Sequence, residues 1–267
     1  MTRQYISYKE IAAAIGIKSG DIVYLSSDIL SLAWTAKANG ECFEIDVLID
    51  SFQKEITPEG TLLIPSFHFD FSNYGIYDYR KTPSATGALG NAALRREDFM
   101  RTAHPMHSFC VWGKDKGILC GMQNLNSFGA DSPFAYMYEN NAVQVMLGTD
   151  YQRSMTFVHY VENMAGVPYR FYKEFTGVYV DRNGMETIRT YQYPARNLEL
   201  GSVEKFNRIG KMLEEAEIAK SYEINGILVR KVPLSESYPL IYRDAKHNMC
   251  RNLYDFNIDR EFIWRDA

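Results

Sequence analysis

The sequence predicts an α/β fold with a largely buried mixed sheet covered by helices, and three observations predict it. Short β-type runs bounded by turn residues alternate with helix-period segments as far as Pro168. An Asn-Gly turn then joins two further strand-like runs, and an antiparallel pair added to an α/β core makes the sheet mixed. The 267 residues, 46% hydrophobic and 14% aromatic, are enough to bury a substantial core.

In chain order, a helical period over 7–15 leads through a Gly-containing turn to a first strand at 21–27. A helix over 43–56 ends before Pro58-Glu-Gly60, and the strand 61–67 follows. A helix at 86–99 precedes the strand 108–113, and a helix at 132–140 precedes the strand 142–148. A buried helix spans 154–165, started by Ser154 or Thr156 and stopped by Gly166 with Pro168 beyond. Residues 171–193 form a hairpin about Asp181-Arg-Asn-Gly184, followed by a helix over 203–218, a strand at 226–230 and a last helix in 235–250. No Ser/Pro/Gly-rich linker, charge block or fixed-period repeat divides the chain, so 1–267 reads as a single domain.

The 33 acidic and 29 basic residues are well mixed, with a net charge of −4. That argues against nucleic-acid binding, which requires a basic patch or stripe. The beginning of the chain lacks the apolar region of a signal peptide, and no run reaches the roughly 18 apolar residues of a membrane span. A cytoplasmic protein without membrane association, its four cysteines reduced, is expected.

The segment Ser154-Met-Thr-Phe-Val-His-Tyr-Val-Glu-Asn-Met-Ala-Gly166 carries the chemistry. Met155, Phe157, Val158, Tyr160, Val161, Met164 and Ala165 wrap most of the helix, as in a buried one. Thr156, His159, Glu162 and Asn163 fall on one face at three- and four-residue steps. A buried imidazole three residues from a buried carboxylate is expensive unless paired, and general acid–base chemistry is one reason to keep such a pair. A hydrogen-bonded core histidine is the other reading of the same spacing. A metal is not expected: the second His of a His-Glu-x-x-His helix is replaced by Asn163, and Cys42, Cys110, Cys120 and Cys250 form no Cys-x-x-Cys pair.

Active sites of α/β sheets sit beyond strand carboxyl ends. Four polar clusters are placed to meet there: Ser26-Ser27, Ser66-Phe-His-Phe-Asp70, Asp131-Ser-Pro133 and the Thr156/His159/Glu162 stripe. Taken singly, the serines read equally as caps or turn residues, and His68 and Asp70 as solvated loop groups. Gly87-Ala-Leu-Gly90 lacks the full dinucleotide fingerprint, and no Walker loop or Gly-x-Ser-x-Gly elbow occurs. A Cys-dependent hydrolase would need Cys110, which falls mid-strand.

The order of motifs says more than any one of them. Ser26-Ser27, Gly60-Thr-Leu-Leu-Ile-Pro65, Tyr77-Asp-Tyr-Arg-Lys-Thr-Pro-Ser84, Arg101-Thr-Ala-His-Pro-Met-His-Ser108, Ser132-Pro133, Val145-Met-Leu-Gly148 and Thr156-Phe-Val-His-Tyr-Val-Glu162 follow one another. Over roughly residues 5–250 this sequence resembles the aminoglycoside 3-N-acetyltransferase family. The resemblance implies a three-layer domain with a central mixed β-sheet flanked by helices, distinct from the Gcn5-type acetyltransferase fold. It implies acetyl-CoA as donor, no metal, and a small-molecule amine as acceptor, on an aminoglycoside or another aminosugar. It leaves room for a homodimer.

Carried over by motif, His159 is the implied general base, Glu162 its partner, and Thr156 a hydroxyl near the thioester. Ser26, Ser27, His104 and Ser108 resemble the coenzyme-side wall. Asp78, in the Asp-x-Arg motif, is implied on the acceptor side, and Asp70 joins it there as a candidate acidic contact. One departure stands out: where family members place a Gly-Gly turn after the Ser-Ser loop, residues 32–43 keep only Gly40. An alternative follows from it, a non-catalytic aminosugar-binding relative that has lost productive coenzyme A binding.

Overall fold

The computed structural model describes residues 4–265. Its strands are β1 (Ile22–Ser27), β2 (Thr61–Pro65), β3 (Ile76–Asp78), β4 (Met100–Arg101), β5 (Phe109–Gly113), β6 (Val143–Leu147), β7 (Arg170–Val180), β8 (Glu186–Arg196), β9 (Val203–Glu204), β10 (Lys220–Ile224), β11 (Ile227–Pro233) and β12 (Tyr254–Asp255). The central sheet has seven strands in the order β10-β11-β6-β1-β2-β5-β4. Its middle, β6-β1-β2, is parallel, with Ser26 opposite Met146 and Ile22 opposite Thr61. The strands flanking that middle, β11 and β5, run antiparallel to it.

Alternating strand residues feed two cores, which makes three layers. Val23, Leu25, Leu62, Ile64 and Val145 face the helices Ile11–Ala14, Ile45–Ile56 and Ala88–Arg95. Tyr24, Leu63, Phe109 and Met146 face the helices Phe157–Ala165 and Leu234–His247. Among the described residues no helix is long and apolar enough to cross a membrane.

The sheet is mixed, but not for the expected reason. The hairpin β7-β8 does not extend it; it pairs with β3 in a separate three-stranded sheet, order β3-β7-β8. Antiparallel neighbours of the central strands supply the mixture instead. Among the elements not foreseen are a helix after β1 and an edge strand. The helix Leu30–Ala38 has no clean amphipathic stripe, since Leu32 and Ala36 are buried while Leu30 and Trp34 are exposed. The strand β10, Lys-Ser-Tyr-Glu-Ile, is a polar edge strand with little hydrophobic signal.

The predicted helix 154–165 is two helices. Tyr151–Ser154 is capped by Asp150, whose side chain accepts the amide of Arg153 at 3.0 Å. After a break at Met155 the chain resumes as Phe157–Ala165. Gly166 closes that helix in the left-handed region at φ 63°. Gly148, at the end of β6, is held at φ 63°, and a Cβ there would stand 2.8 Å from the carbonyl oxygen of Asp28. This close approach joins the ends of β1 and β6, where the loops of the site begin.

Candidate active site

The parallel strands β6, β1 and β2 end on one side of the sheet, and a cleft of about 940 Å³ opens there. Each strand sends its following loop into the wall: Asp28 and Ile29 after β1, Phe67 and Phe69 after β2, Arg153 and Thr156 after β6. Ser26 and Ser27 both line that wall, but they differ in what their hydroxyls do. Ser26 Oγ accepts from Gln144 Nε2 at 3.0 Å, whereas Ser27 Oγ is buried with no partner. Thr156 precedes the helix Phe157–Ala165 without capping it, so its hydroxyl is free of that duty and lines the cleft beside Tyr24.

One turn further along the helix, His159 and Glu162 meet. His159 Nδ1 lies 2.7 Å from Glu162 Oε2. Glu162 is fully buried, and sequence reasoning missed what compensates it. Arg170 brings Nη2 to 2.8 Å from Glu162 Oε2 and donates through the same nitrogen to Tyr254 Oη at 2.8 Å and through Nη1 to the carbonyl of Pro194 at 2.7 Å. Tyr169 donates its hydroxyl hydrogen to Glu162 Oε1 and sits 3.2 Å from Cys250 Sγ. Burial pushes the Glu162 carboxyl up, but the Arg170 charge and the hydrogen bonds from His159 and Tyr169 outweigh it and hold it down at about 2.

The hydrogens of this cluster can be placed. Arg170 Nη2 also lies 2.9 Å from His159 Nδ1 and directs a hydrogen to Tyr254 Oη, while it meets Glu162 Oε2 as an ion pair. Glu162, held ionised, has no hydrogen to give, so across the 2.7 Å contact Nδ1 is the donor and the lone pair of the neutral imidazole is on Nε2. Nε2 has no partner among the described residues. The imidazole is wedged between the rings of Phe128 at 5.6 Å and Phe206 at 5.5 Å, which fix its plane.

The other sequence candidates are placed differently. Ser108 and His104 are buried and do not line the cleft. Ser108 Oγ donates to the carbonyl of Ser66 at 2.8 Å and accepts from Arg101 Nε at 2.9 Å, so the motif braces the wall from behind. His104 Nδ1 accepts the amides of Met106 and His107 at 3.3 and 3.4 Å, ordering the same loop. Asp78 accepts the amides of Arg80 at 2.9 Å and Lys81 at 3.1 Å, a turn within the three-stranded sheet region. Asp70 is exposed, 3.8 Å from His68 Nε2, and next to the cleft residue Phe69. Ser132 caps the helix Pro133–Glu139, the turn-and-cap reading of that cluster. Cys110 is buried in β5, and burial pushes its thiol up to about 11, which removes the thiolate that a hydrolase would need.

With this geometry in place, the chain matches the model of the family described as aminoglycoside 3-N-acetyltransferase over residues 26–240. It belongs to that family. As a member it is an N-acetyltransferase, and its three-layer sheet is the family's. The SPbeta prophage-derived aminoglycoside N(3')-acetyltransferase-like protein YokD of Bacillus subtilis (strain 168) is 25% identical, the match covering 84% of this chain and 93% of that protein. Sisomicin-bound AAC-VIa superposes with a TM-score of 0.75 at 17% identity, over 92% of this chain and 99% of that one. The binary complex of AAC-IIIb with CoASH gives 0.72 at 16% identity, over 88% and 93%.

The acetyltransferase carries a pH signature from its buried groups. Burial pushes His104 down to about 3 and His107 well below its ordinary value, while Glu162 is held at about 2. Below about pH 6.5 the unfolded chain takes up the two histidine protons that the folded chain refuses; below about pH 4.5 it takes up the Glu162 proton as well. Stability should therefore be level above about pH 7 and fall on acidification, each group contributing up to about 1.4 kcal/mol per pH unit within its window. Denaturant titrations from neutral pH to pH 4 check this. His104→Gln should flatten the slope between about pH 6.5 and 4, and an unchanged slope would count against the assignment.

Proposed function

We propose that this enzyme moves an acetyl group from acetyl-CoA to an amine of an aminosugar or aminoglycoside, with His159 as general base. The observation that carries this reading is the oriented imidazole: Glu162 and Arg170 hold His159 so that Nε2 is the acceptor, one helical turn from the cleft residue Thr156. The residues present suit such a donor. The cleft has the volume for a pantetheine chain, its wall mixes Phe67, Phe69 and Leu89 with the unpartnered hydroxyl of Ser27, and Arg153 stands at its edge as a cation for phosphate.

The chemistry asked of the protein is positioning plus one proton transfer. The amine nitrogen bonds to the carbonyl carbon, the carbon–sulfur bond breaks, and the proton leaving nitrogen passes to His159 Nε2 and on to the departing sulfur. Glu162 keeps the imidazole in its Nδ1–H form and stabilises its cation while it holds the proton. Ser27 and Thr156 are the residues we assign to the donor side. His104 and Ser108 support that wall without touching the donor. Asp70, exposed beside Phe69, and Asp78 remain our candidates for an acidic acceptor contact. We read residues 1–267 as one domain working in the cytoplasm, where acyl-CoA donors are made.

Thiol release from acetyl-CoA with a panel of aminoglycosides and nucleotide aminosugars tests the reading; no release with any amine would overturn it. The binding-only alternative predicts sugar-binding heat without coenzyme A heat in calorimetry. Intact Thr156, His159 and Glu162 argue against that alternative. Ser27→Ala should raise the Michaelis constant for acetyl-CoA about threefold or more, with that for the amine little changed, since a lone hydroxyl contact is worth roughly 0.5–1.5 kcal/mol. A larger effect on the amine constant would reverse the polarity of the cleft.

A further inference from the structure

Across the Phe128 ring from His159 lies a second imidazole that the reaction does not use. His107 is buried, 4% exposed, and packed among aromatic rings. Phe67 and Phe69, both on the cleft wall, pack on it at 5.0 and 5.6 Å. Phe128, at 4.7 Å from His107 and 5.6 Å from His159, touches both imidazoles, and Tyr193 stacks on His107 at 5.6 Å and 13°. His107 thus stands between the cleft wall and the base, close enough for the charge of His159 to oppose its protonation.

A hydrogen-bond chain decides which of its nitrogens carries the hydrogen. His104 Nδ1 accepts two backbone amides, so the hydrogen of this neutral ring is on Nε2, which faces Ser127 Oγ at 3.3 Å. The Ser127 hydroxyl cannot donate to an N–H, and its remaining neighbour is His107 Nδ1 at 2.9 Å. Ser127 therefore donates to His107 Nδ1, which puts the His107 hydrogen on Nε2. That nitrogen has no partner among the described residues. A neutral N–H donor in a water-poor aromatic cage is suited to an oxygen on which negative charge develops, because it stabilises that charge without first becoming a cation.

We propose that His107 is a catalytic hydrogen-bond donor, its Nε2–H binding the carbonyl oxygen of the acyl group as the amine attacks. The inference rests on the acetyl-transfer reading above. It divides the two imidazoles by tautomer: His159, with its hydrogen on Nδ1, takes a proton at Nε2; His107, with its hydrogen on Nε2, donates a hydrogen bond. No electrons or protons are transferred through His107. Ser127 and His104 are positioning residues, setting the tautomer through Nδ1.

Two readouts test this. The first is the ¹⁵N spectrum of the histidine rings, with His107 assigned by its loss in His107→Phe. The neutral Nε2–H tautomer is expected at neutral pH, and an Nδ1–H or doubly protonated ring there would overturn the proposal. The second is kinetic. His107→Phe, which keeps the aromatic packing, should lower kcat by ~10²-fold or more with both Michaelis constants nearly unchanged. His107→Gln, whose amide nitrogen can stand near the lost Nε2, should recover at least ~10-fold of that loss. Equal losses in the two variants, or a loss confined to a Michaelis constant, would mean that His107 only fills space. If His107→Phe does not fold, Ser127→Ala decides: an Nδ1–H signal together with a lower kcat supports the assignment, and an unchanged kcat and tautomer sinks it. A wild-type enzyme that releases no thiol with any amine removes the acetyl-transfer reading and this inference together. An active wild type indifferent to His107→Phe removes the inference alone.

Discussion

His159→Ala is expected to lower turnover by at least ~10²-fold while leaving the protein folded, the scale of losing one positioned base. The fold should survive because the imidazole is a minor part of the buried cluster. Its side chain is 15% exposed, and the carboxylate that it meets keeps its ion pair to Arg170 at 2.8 Å and its hydrogen bond from Tyr169. Alanine removes the ring between Phe128 and Phe206 but leaves no unpaired buried charge. Steady-state thiol release and thermal unfolding, measured on the same preparation, separate the two effects. A variant retaining more than about a tenth of wild-type turnover would assign the proton to another group.

The largest stability effect should come from Arg170→Leu. Arg170 is the cation that lets Glu162 stay ionised at no exposure, and its guanidinium also reaches Tyr254 and the Pro194 carbonyl. Removing one partner of a buried pair leaves the other uncompensated, a loss of about 3–5 kcal/mol. For a chain of this size that lowers the unfolding midpoint by roughly 10 °C. Glu162 then gains its proton at a higher pH, and a protonated carboxyl no longer stabilises the imidazolium form of His159, so turnover should fall too. Arg170→Lys should recover little, because an ammonium cannot span the carboxylate, the hydroxyl and the carbonyl at once. The double variant Arg170→Leu/Glu162→Leu should be more stable than Arg170→Leu alone, since it removes the orphaned charge. Stability equal to wild type in Arg170→Leu would show that the pair is not the anchor of the site.

Much of this site was legible in the chain. The step from His159 to Glu162 is three residues on a helix whose remaining faces are apolar, and that spacing by itself brings Nδ1 to the carboxylate. Gly166 announces the stop, and the run Val-Pro-Tyr-Arg170 after it holds Tyr169 and Arg170, the partners of Glu162 from outside the helix that lie nearest in sequence. A buried carboxylate demands a cation, so this run was the signal that could have pointed to Arg170. Nothing local points to Tyr254, Cys250 or Pro194, which arrive from the hairpin and from the chain's far end.

By itself, then, the sequence determined the alternation of strands and helices, the polar stripe, and the Asn-Gly hairpin, because each depends on a local period or on a dihedral that a few residues impose. Tertiary structure decided that the hairpin joins β3 rather than the central sheet, that Ser108 and His104 brace the cleft from behind, and that Phe128 packs on both His107 and His159. The physical reason is common to all three. Periodicity tells which face of an element is buried, but hydrogen-bond partners, charge compensation and tautomers are set by whichever distant element covers that face.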